Sequence, residues 1–251
     1  ARAPKAFPSI AAGDRVTWTM QRDVGWVESL EPRDSLLYRP NEDGSKRPLA
    51  ANLDRVLVVA APQPITSARF VDRYLVNLEL QDHRVTVVLQ KVDMLDEESS
   101  AYFETFEARY RTIGYDVLRV SAHSGEGMDA LIDRLRDRCS IMVGQSGVGK
   151  SSLARKLIPD INIAVGDLTT NANLGRHTTS NTRVLALPFG GSLIDSPGVR
   201  DFATWHLPGT ALPDGFPEFT PWCGQCRFRD CRHDKDADCA VRGAVDAGAI
   251  A

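Results

Sequence analysis

Short apolar runs and stretches with helical spacing of apolar residues alternate through the middle of the chain. The apolar runs predict strands at 55–60, 85–89, 117–120, 141–143 and 192–194. They are rich in β-branched residues, which is typical of strands covered on both faces. Apolar residues at helical spacing predict helices over 70–80, 97–113, 128–138 and 153–158. This alternation predicts an α/β fold with a doubly wound, largely parallel sheet, over residues 54–213.

The first 53 residues have a different pattern, in which apolar and polar positions alternate. The alternation predicts short strands at 14–20, 25–30 and 35–39, and a turn at 41–45. Short strands at this spacing predict a small OB-type β-barrel in residues 1–53. Such a barrel binds nucleic acid when basic and aromatic side chains share one face. The alternative, an ordinary barrel with its tryptophans in the core, is equally compatible with the nearly balanced charge of this segment.

Composition limits the class of protein only broadly. The chain has 251 residues, a hydrophobic content of 43% and a net charge of −3, so binding of nucleic acid would depend on local patches. Because its apolar runs are short, we expect no membrane-spanning segment. It begins at Ala1 without a methionine, and we expect both termini to continue beyond the given sequence.

A glycine-rich motif after the run at 141–143 has the P-loop spacing G-x-x-x-x-G-K-S. The candidate phosphate-binding residues are Gly144, Gln145, Ser146, Gly147, Val148, Gly149, Lys150, Ser151 and Ser152. Backbone N–H groups of such a loop point at an anion, and the following helix adds its positive dipole end. Lys150 is predicted to reach the β- and γ-phosphates, and Ser151 to bind Mg²⁺. A strand before the motif and a helix after it favour this interpretation over a chance match.

Two strand ends that precede the P-loop resemble the guanine-reading elements of translation-factor-class GTPases. The family pattern is Asn-Lys-x-Asp with a nearby Ser-Ala loop, and here Gln90, Lys91 and Asp93 precede Ser121 and Ala122. The Asp93 carboxylate is predicted to accept the N1–H and 2-amino group of guanine, which adenine does not offer. Ser121 and Ala122 are predicted to direct a backbone N–H to guanine O6. Gln90 departs from the family's asparagine, and its extra methylene is expected to weaken guanine binding.

Two further elements follow the P-loop at the spacing of GTPase switches. Thr178 and Thr179 lie in a polar stretch without periodicity, and Thr179 is predicted to bind Mg²⁺ when a γ-phosphate is present. Asp195 begins an Asp-Ser-Pro-Gly motif and is predicted to hold Mg²⁺ through water. The N–H of Gly198 is predicted to contact the γ-phosphate.

The order of these elements is unusual, because the guanine-reading pieces precede the P-loop. A circular permutation restores the same three-dimensional site. The segment after Gly198 is then covalently attached to the second switch.

Val199 occupies the position where many GTPases have a glutamine that orients the attacking water. Intrinsic hydrolysis is therefore expected to be slow unless another group takes this role. His177 is the first candidate, because a neutral imidazole can orient or deprotonate water, and His206 is the second. Arg176 is a third candidate, as a charge-stabilising arginine. A simple surface position remains an alternative for each histidine.

Four of the five cysteines lie between residues 223 and 239. This clustering favours a metal site in a reducing cytoplasm over disulfides. The predicted ligands of one structural Zn²⁺ are Cys226, Cys231, His233 and Cys239. Cys223 is a competing ligand, because Cys223-x2-Cys226 is also a zinc-like spacing. Residues 214–251 are thus predicted to form a zinc-binding domain that needs the metal to fold.

Three arginines and one phenylalanine form a small basic and aromatic patch around the predicted zinc ligands. The residues are Arg227, Phe228, Arg229 and Arg232. The patch suits contact with RNA phosphates, but nearby aspartates dilute its charge, so a solvated rim is an equal alternative.

These features together resemble the bacterial ribosome small-subunit-dependent GTPase A family across nearly the whole chain. The resemblance rests on the barrel, the permuted motifs, the His-Thr-Thr and Asp-Ser-Pro-Gly elements and the Cys-Cys-His-Cys tail. It implies GTP hydrolysis stimulated by the 30S subunit, a role in late 30S maturation, and contacts of barrel and zinc domain with 16S rRNA. It also implies a cytoplasmic location and supports His177 in hydrolysis. We expect GTP or GDP, Mg²⁺ and Zn²⁺ as ligands, and a monomer.

Two other functions remain possible from the residues alone. A P-loop kinase would use ATP and phosphorylate an acceptor, although Asp93 favours guanine. A pure RNA-binding scaffold with an inactive nucleotide site is compatible with Gln90 and Val199.

Overall fold

The computed structural model describes residues 9–40, 45–159, 182–195 and 211–250. The central element is a six-stranded sheet of order β7-β6-β5-β8-β10-β9. Its strands are β5 (Arg55–Ala60), β6 (Val85–Gln90), β7 (Asp116–Val120), β8 (Cys139–Val143), β9 (Arg183–Ala186) and β10 (Ser192–Asp195). Every neighbouring pair is parallel except β9 and β10, which are antiparallel. The predicted largely parallel sheet is therefore confirmed.

Helices cover both faces of this sheet. They are α1 (Ala68–Glu79), α2 (Glu97–Ile113), α3 (Met128–Leu135) and α4 (Lys150–Leu157). Alternate residues of β5 point to opposite sides: Val56 and Val58 pack with α1 and α2, whereas Leu57 and Val59 pack with α3 and α4. All six residues of β5 are buried, which explains why this strand lacks polar alternation.

The sheet topology brings the carboxyl ends of β6, β7 and β8 to one edge. The strands run parallel from β7 through β6 and β5 to β8, so the segments that follow them emerge on the same side. The guanine-reading elements and the P-loop follow these strands, although β6 precedes β8 by about fifty residues in the chain. The circular permutation thus leaves the spatial arrangement of an ordinary α/β nucleotide-binding sheet intact.

The N-terminal segment forms two antiparallel pairs, β1 (Val16–Gln21) with β2 (Val24–Leu30) and β3 (Leu36–Pro40) with β4 (Lys46–Ala51). Each pair is a separate two-stranded sheet in the described part of the chain, so closure of a barrel over residues 1–53 stays a prediction. Trp18 is 56% exposed and Met20 is 63% exposed. The alternative that places the tryptophans in a barrel core is therefore wrong for Trp18.

The helix predicted over 128–138 is shorter than expected and ends at Leu135. Arg136 leaves the helical conformation, with φ −55° and ψ 128°, and Asp137 has a φ of 55°. The sequence patterns also missed β4 and β9. The second of these has only one partly buried residue in four, so it carries no apolar signal.

The C-terminal segment begins with two short 3-10 helices, Leu212–Gly215 and Pro217–Phe219. Gly215 lies directly on α1, because a Cβ there would come within 2.6 Å of the Val76 side chain. Helix α5 (Ala240–Asp246) follows the cysteine-rich stretch, and Ile250 packs back on this segment. Across the described ranges, no helix has the length and apolar character to cross a membrane.

Candidate nucleotide-binding site and metal cluster

The P-loop connects the end of β8 to the start of α4, as predicted. Gly144 and Gly149 have φ values of 140° and 100°, which favour glycine. They also lie where a side chain would not fit, since a Cβ at Gly144 would come within 2.4 Å of the Val59 carbonyl oxygen. Helix α4 begins at Lys150, so its first N–H groups face the loop. The loop therefore has the local geometry that an anion-binding helix N-terminus requires.

The Lys150 ammonium group is held against the loop. Its Nζ donates hydrogen bonds to the carbonyl oxygens of Gly144 and Gln145, both at 2.7 Å. Burial raises the pKa of the Asp195 carboxyl at the end of β10, while the charges of Arg183 and Lys150 act in the opposite direction. Asp195 therefore lies within electrostatic reach of the P-loop lysine. The Ser151 hydroxyl and the Asp195 carboxylate are hard oxygen donors, which fit Mg²⁺.

The predicted guanine-reading carboxylate is oriented by the loop after β7. The Ser121 hydroxyl donates to Asp93 Oδ1 at 2.5 Å and accepts the backbone N–H groups of His123 and Ser124. Ser121 is fully buried, so its hydroxyl holds one carboxylate oxygen in a fixed position. The other oxygen, Oδ2, lies 3.6 Å from Nδ1 of His123. The Asp93 carboxylate is thus held in one orientation, which recognition of guanine requires.

Lys91 joins the guanine-reading segment to the P-loop. Its backbone is left-handed, with a φ of 66°. Its ammonium group donates to the carbonyl oxygen of Gly147 at 2.8 Å and to that of Gln63 at 2.6 Å. The two motifs are therefore in direct contact, although more than fifty residues separate Lys91 from Gly147.

A cavity of about 640 Å³ lies between these elements. Lys91, Asp93 and Ala122 line one side, and Ser152, Arg155 and Lys156 of α4 line the other. The cavity is large enough for a purine nucleoside. His123 also lines the cavity, whereas Arg155 and Lys156 were not predicted as lining residues. Arg155 and Lys156 lie three and four residues after Ser152. This spacing places them on the same helix face as Ser152, so the sequence could have indicated them.

Gln90 occupies the position where the related motif has asparagine, and its longer side chain fits tightly. Gln90 is 2% exposed, and its Nε2 would lie 2.5 Å from a Cβ at Gly149. Its Oε1 is buried and has no hydrogen-bond partner among the described residues. An unpaired buried amide oxygen is destabilising, so we expect the Gln90 amide to lower the stability of this loop.

The switch predictions fall outside the described residues. His177, Thr178, Thr179 and Gly198 all lie in the undescribed ranges 160–181 and 196–210, as do the alternatives Arg176 and His206. Their assignments therefore stay predictions.

The four predicted metal ligands converge in the C-terminal segment. The ligand atoms of Cys226, Cys231, His233 and Cys239 all lie within 4.8 Å of one another. Nδ1 of His233 lies 3.5, 3.6 and 3.4 Å from the sulfurs of these three cysteines in chain order, and the sulfurs of Cys226 and Cys239 are 4.0 Å apart. A tetrahedral zinc site places sulfur and nitrogen about 3.6 Å apart and two sulfurs about 3.8 Å apart. The donor set and its spacing therefore fit one Zn²⁺.

Cys223, the competing ligand of the sequence analysis, is exposed and does not belong to this group of four. The cluster is tied to the fold at Cys239, whose sulfur accepts the backbone N–H of Arg242 at the start of α5.

The permuted order of the motifs, the P-loop on a largely parallel sheet and the Asp93 loop define a circularly permuted P-loop GTPase. A family model described as RsgA GTPase matches residues 30–205. The chain therefore belongs to the RsgA GTPase family. The predicted GTPase activity is therefore confirmed, against the kinase and scaffold alternatives.

Individual relatives resemble nearly the whole chain. Small ribosomal subunit biogenesis GTPase RsgA of Haemophilus influenzae (strain PittGG) is 42% identical, over 98% of this chain and 72% of its own length. RsgA 1 of Vibrio parahaemolyticus is 44% identical with the same coverage. Among solved structures, YjeQ from Thermotoga maritima has a TM-score of 0.78 at 32% identity, covering 96% of this chain and 79% of its own. YloQ, described as a circularly permuted GTPase, has a TM-score of 0.72 at 28% identity, covering 98% of this chain and 76% of its own.

Proposed function

We propose that the chain is a Mg²⁺-dependent GTP hydrolase that is stimulated by the small ribosomal subunit and acts in its late maturation. The observation that carries this proposal is the direct contact between the guanine-reading segment and the P-loop through Lys91. The names of the relatives supply the ribosomal part, since they are small ribosomal subunit biogenesis GTPases. A cytoplasmic, monomeric protein that contacts 16S rRNA is part of the same proposal.

In this proposal the nucleotide lies across the contact between the two motifs. Asp93 binds the guanine edge, Lys91 lies along the base and ribose, and Gln90 supports the loop. The backbone of Gly144–Ser152 binds the phosphates, with Lys150 at the β- and γ-phosphates. Ser151, Thr179 and Asp195 would hold Mg²⁺, which neutralises charge on the phosphates when it is bound.

The test of this function is GTP turnover with and without purified small ribosomal subunits. We expect small subunits to raise the rate of phosphate release by at least about tenfold. The reason is that Val199 replaces the water-orienting glutamine of many GTPases, so hydrolysis by the protein alone should be slow. Large subunits serve as the control and should leave the rate near its intrinsic value. An unchanged rate with small subunits would contradict the ribosomal part of the proposal.

His177 is proposed to orient or deprotonate the attacking water. We expect His177→Ala to lower kcat by about a hundredfold or more while the Kd for GDP stays unchanged, since general-base catalysis contributes at least that much. Single-turnover hydrolysis and calorimetric GDP titration measure the two quantities. His206→Ala is the matched control, and a loss in that variant with normal turnover in His177→Ala would move the role to His206.

The C-terminal cluster is proposed to hold one structural Zn²⁺, within a domain that begins near residue 214. We expect about one zinc per chain by elemental analysis, and loss of zinc in Cys239→Ser, because three ligands bind the metal far more weakly than four. Loss of the metal should also unfold residues 214–250, which is measurable as faster hydrogen exchange there. Cys223→Ser is the control, and this variant should keep its zinc. Loss of zinc in Cys223→Ser together with retention in Cys226→Ser would show that the ligand assignment is wrong.

The proposed rRNA contacts use the exposed aromatic and basic groups of both flanking segments. Trp18 stands exposed on β1 and Phe228 is 46% exposed beside the cysteine cluster. The Arg227 guanidinium lies 5.4 Å from the Phe228 ring centre and also pairs with Asp238 at 2.9 Å. Exposed aromatic rings of this kind stack on unpaired bases.

A further inference from the structure

A third segment contacts the proposed nucleotide site, besides the guanine-reading residues and the P-loop. It is the loop that joins β5 to α1, residues 61–67, called here the β5–α1 loop. Its Pro64 ring lies against the P-loop, since a Cβ at Gly147 would be 3.3 Å from the Cδ atom and 3.5 Å from the Cγ atom of Pro64. The Pro64 ring therefore packs beside Gly147 of the P-loop.

The same loop also contacts the guanine-reading segment. The carbonyl oxygen of Gln63 accepts a hydrogen bond from Nζ of Lys91, and that ammonium group also donates to the carbonyl oxygen of Gly147. Lys91 is thus held between two backbone carbonyls, one from the β5–α1 loop and one from the P-loop. The loop contacts both motifs within two consecutive residues, Gln63 and Pro64.

Buried hydrogen bonds hold the β5–α1 loop in one conformation. Thr66 is fully buried, and its hydroxyl accepts the backbone N–H of Ala61 at 3.0 Å. A backbone hydrogen bond of 3.0 Å, from Thr66 N–H to the Ala61 carbonyl, closes the loop. From α2, the Tyr102 hydroxyl donates to the Thr66 carbonyl and accepts the N–H of Ala68. These hydrogen bonds fix both ends of the loop and hold its tip beside Lys91 and Gly147.

We propose that the β5–α1 loop is a positioning element of the nucleotide site, with Pro64 and Thr66 as its positioning residues. The inference rests on the proposed guanine-nucleotide function of this site. The loop sets the distance between the base-binding side at Lys91 and the phosphate-binding side at Gly147. A nucleotide that spans both sides binds well only when this distance is correct, because misplaced contacts lose preorganisation.

Substitutions at the loop tip test the proposal through nucleotide affinity. We expect Pro64→Ala to weaken GDP binding about tenfold, which corresponds to about 1.4 kcal/mol, because the P-loop loses the ring that supports Gly147. Thr66→Val should have a similar effect, since the loop loses the hydroxyl that closes it, whereas Thr66→Ser keeps that hydroxyl and should bind normally. Ile65→Ala is the matched control, because Ile65 lies in the same loop and is 61% exposed. Its GDP affinity should equal that of the unmodified protein.

Calorimetry separates a positioning role from simple destabilisation. Irreversibly misfolded protein lowers the number of sites titrated and leaves the Kd of the folded fraction unchanged, whereas mispositioning raises the Kd at full stoichiometry. Reversible unfolding would also raise the apparent Kd, so a melting curve of each variant without nucleotide must show that it is folded at the titration temperature. Unchanged Kd values in both Pro64→Ala and Thr66→Val, with or without a lower stoichiometry, would overturn the inference. If Thr66→Val does not fold, Pro64→Ala decides alone. Failure of the unmodified protein to bind GDP would instead contradict the proposed function itself.

Discussion

Asp93→Asn is expected to reverse the base preference of the nucleotide site. The substitution replaces one carboxylate oxygen with an amide N–H₂, which repels the donors of guanine but can donate to the 2-oxo group of xanthine. We expect the Kd for GDP to rise at least about a hundredfold and the Kd for xanthosine diphosphate to fall by a similar factor, since unpaired polar groups in a binding site are strongly disfavoured. Titrating both nucleotides by calorimetry measures the change.

The size of this effect depends on the support that Asp93 receives. Ser121 is buried and donates to Oδ1, so Asp93 cannot rotate freely to avoid a mismatched base. Asp133→Asn is the matched control, because Asp133 has a 66% exposed side chain on α3 and lies outside the cavity lining. Equal GDP-to-xanthosine-diphosphate ratios in Asp93→Asn and Asp133→Asn would show that Asp93 does not read the base.

Lys150→Ala is expected to abolish turnover of Mg-GTP. The Lys150 ammonium group contacts the loop carbonyls of Gly144 and Gln145. Its loss removes the charge that stabilises the γ-phosphate in the transition state, and an electrostatic contribution of this kind is worth about a thousandfold or more in rate. Ser151→Ala should have a similar effect through loss of a Mg²⁺ ligand. Phosphate release at saturating Mg-GTP measures both.

The matched control for this experiment is Lys46→Ala, because Lys46 is an exposed lysine on β4, in a different sheet. Its intrinsic turnover should equal that of the unmodified protein. Appreciable turnover in Lys150→Ala at saturating GTP would place the phosphate-binding role elsewhere. A variant that keeps GDP affinity while losing turnover would remain in agreement, because the γ-phosphate contact is the one that the transition state needs.

Much of the central sheet was predictable because the inner strands β5, β6 and β8 are covered on both faces. The run at 55–60 begins with Arg55 and is apolar from residue 56 onwards. All six of its residues are buried in the structure. Helix α2 was predicted with its observed bounds, and in the structure Asp96 caps its start and the left-handed Gly114 ends it. Strand β9 was not predictable, because it lies at the sheet edge and only one of its residues is partly buried.

The candidate site likewise has one part that the sequence predicted and another part that it did not. Motif spacing predicted Asp93, Lys150 and the four clustered metal ligands, because their chemistry requires particular residue types at fixed intervals. Spacing carries no information about the β5–α1 loop, since Gln63 contributes a backbone carbonyl and Pro64 only an apolar ring. Contacts of this kind depend on how β5 places its following loop beside the P-loop, which only the folded structure reveals.

Comparing the affinities of the unmodified protein for GDP and for ADP tests the central claim most directly. That claim is that Asp93 and the Gly144–Ser151 loop bind opposite ends of one guanine nucleotide. Calorimetric titration should give one GDP per chain, with ADP bound at least about a hundredfold more weakly, because adenine offers neither donor that Asp93 accepts. Equal affinities for GDP and ADP would contradict the claim.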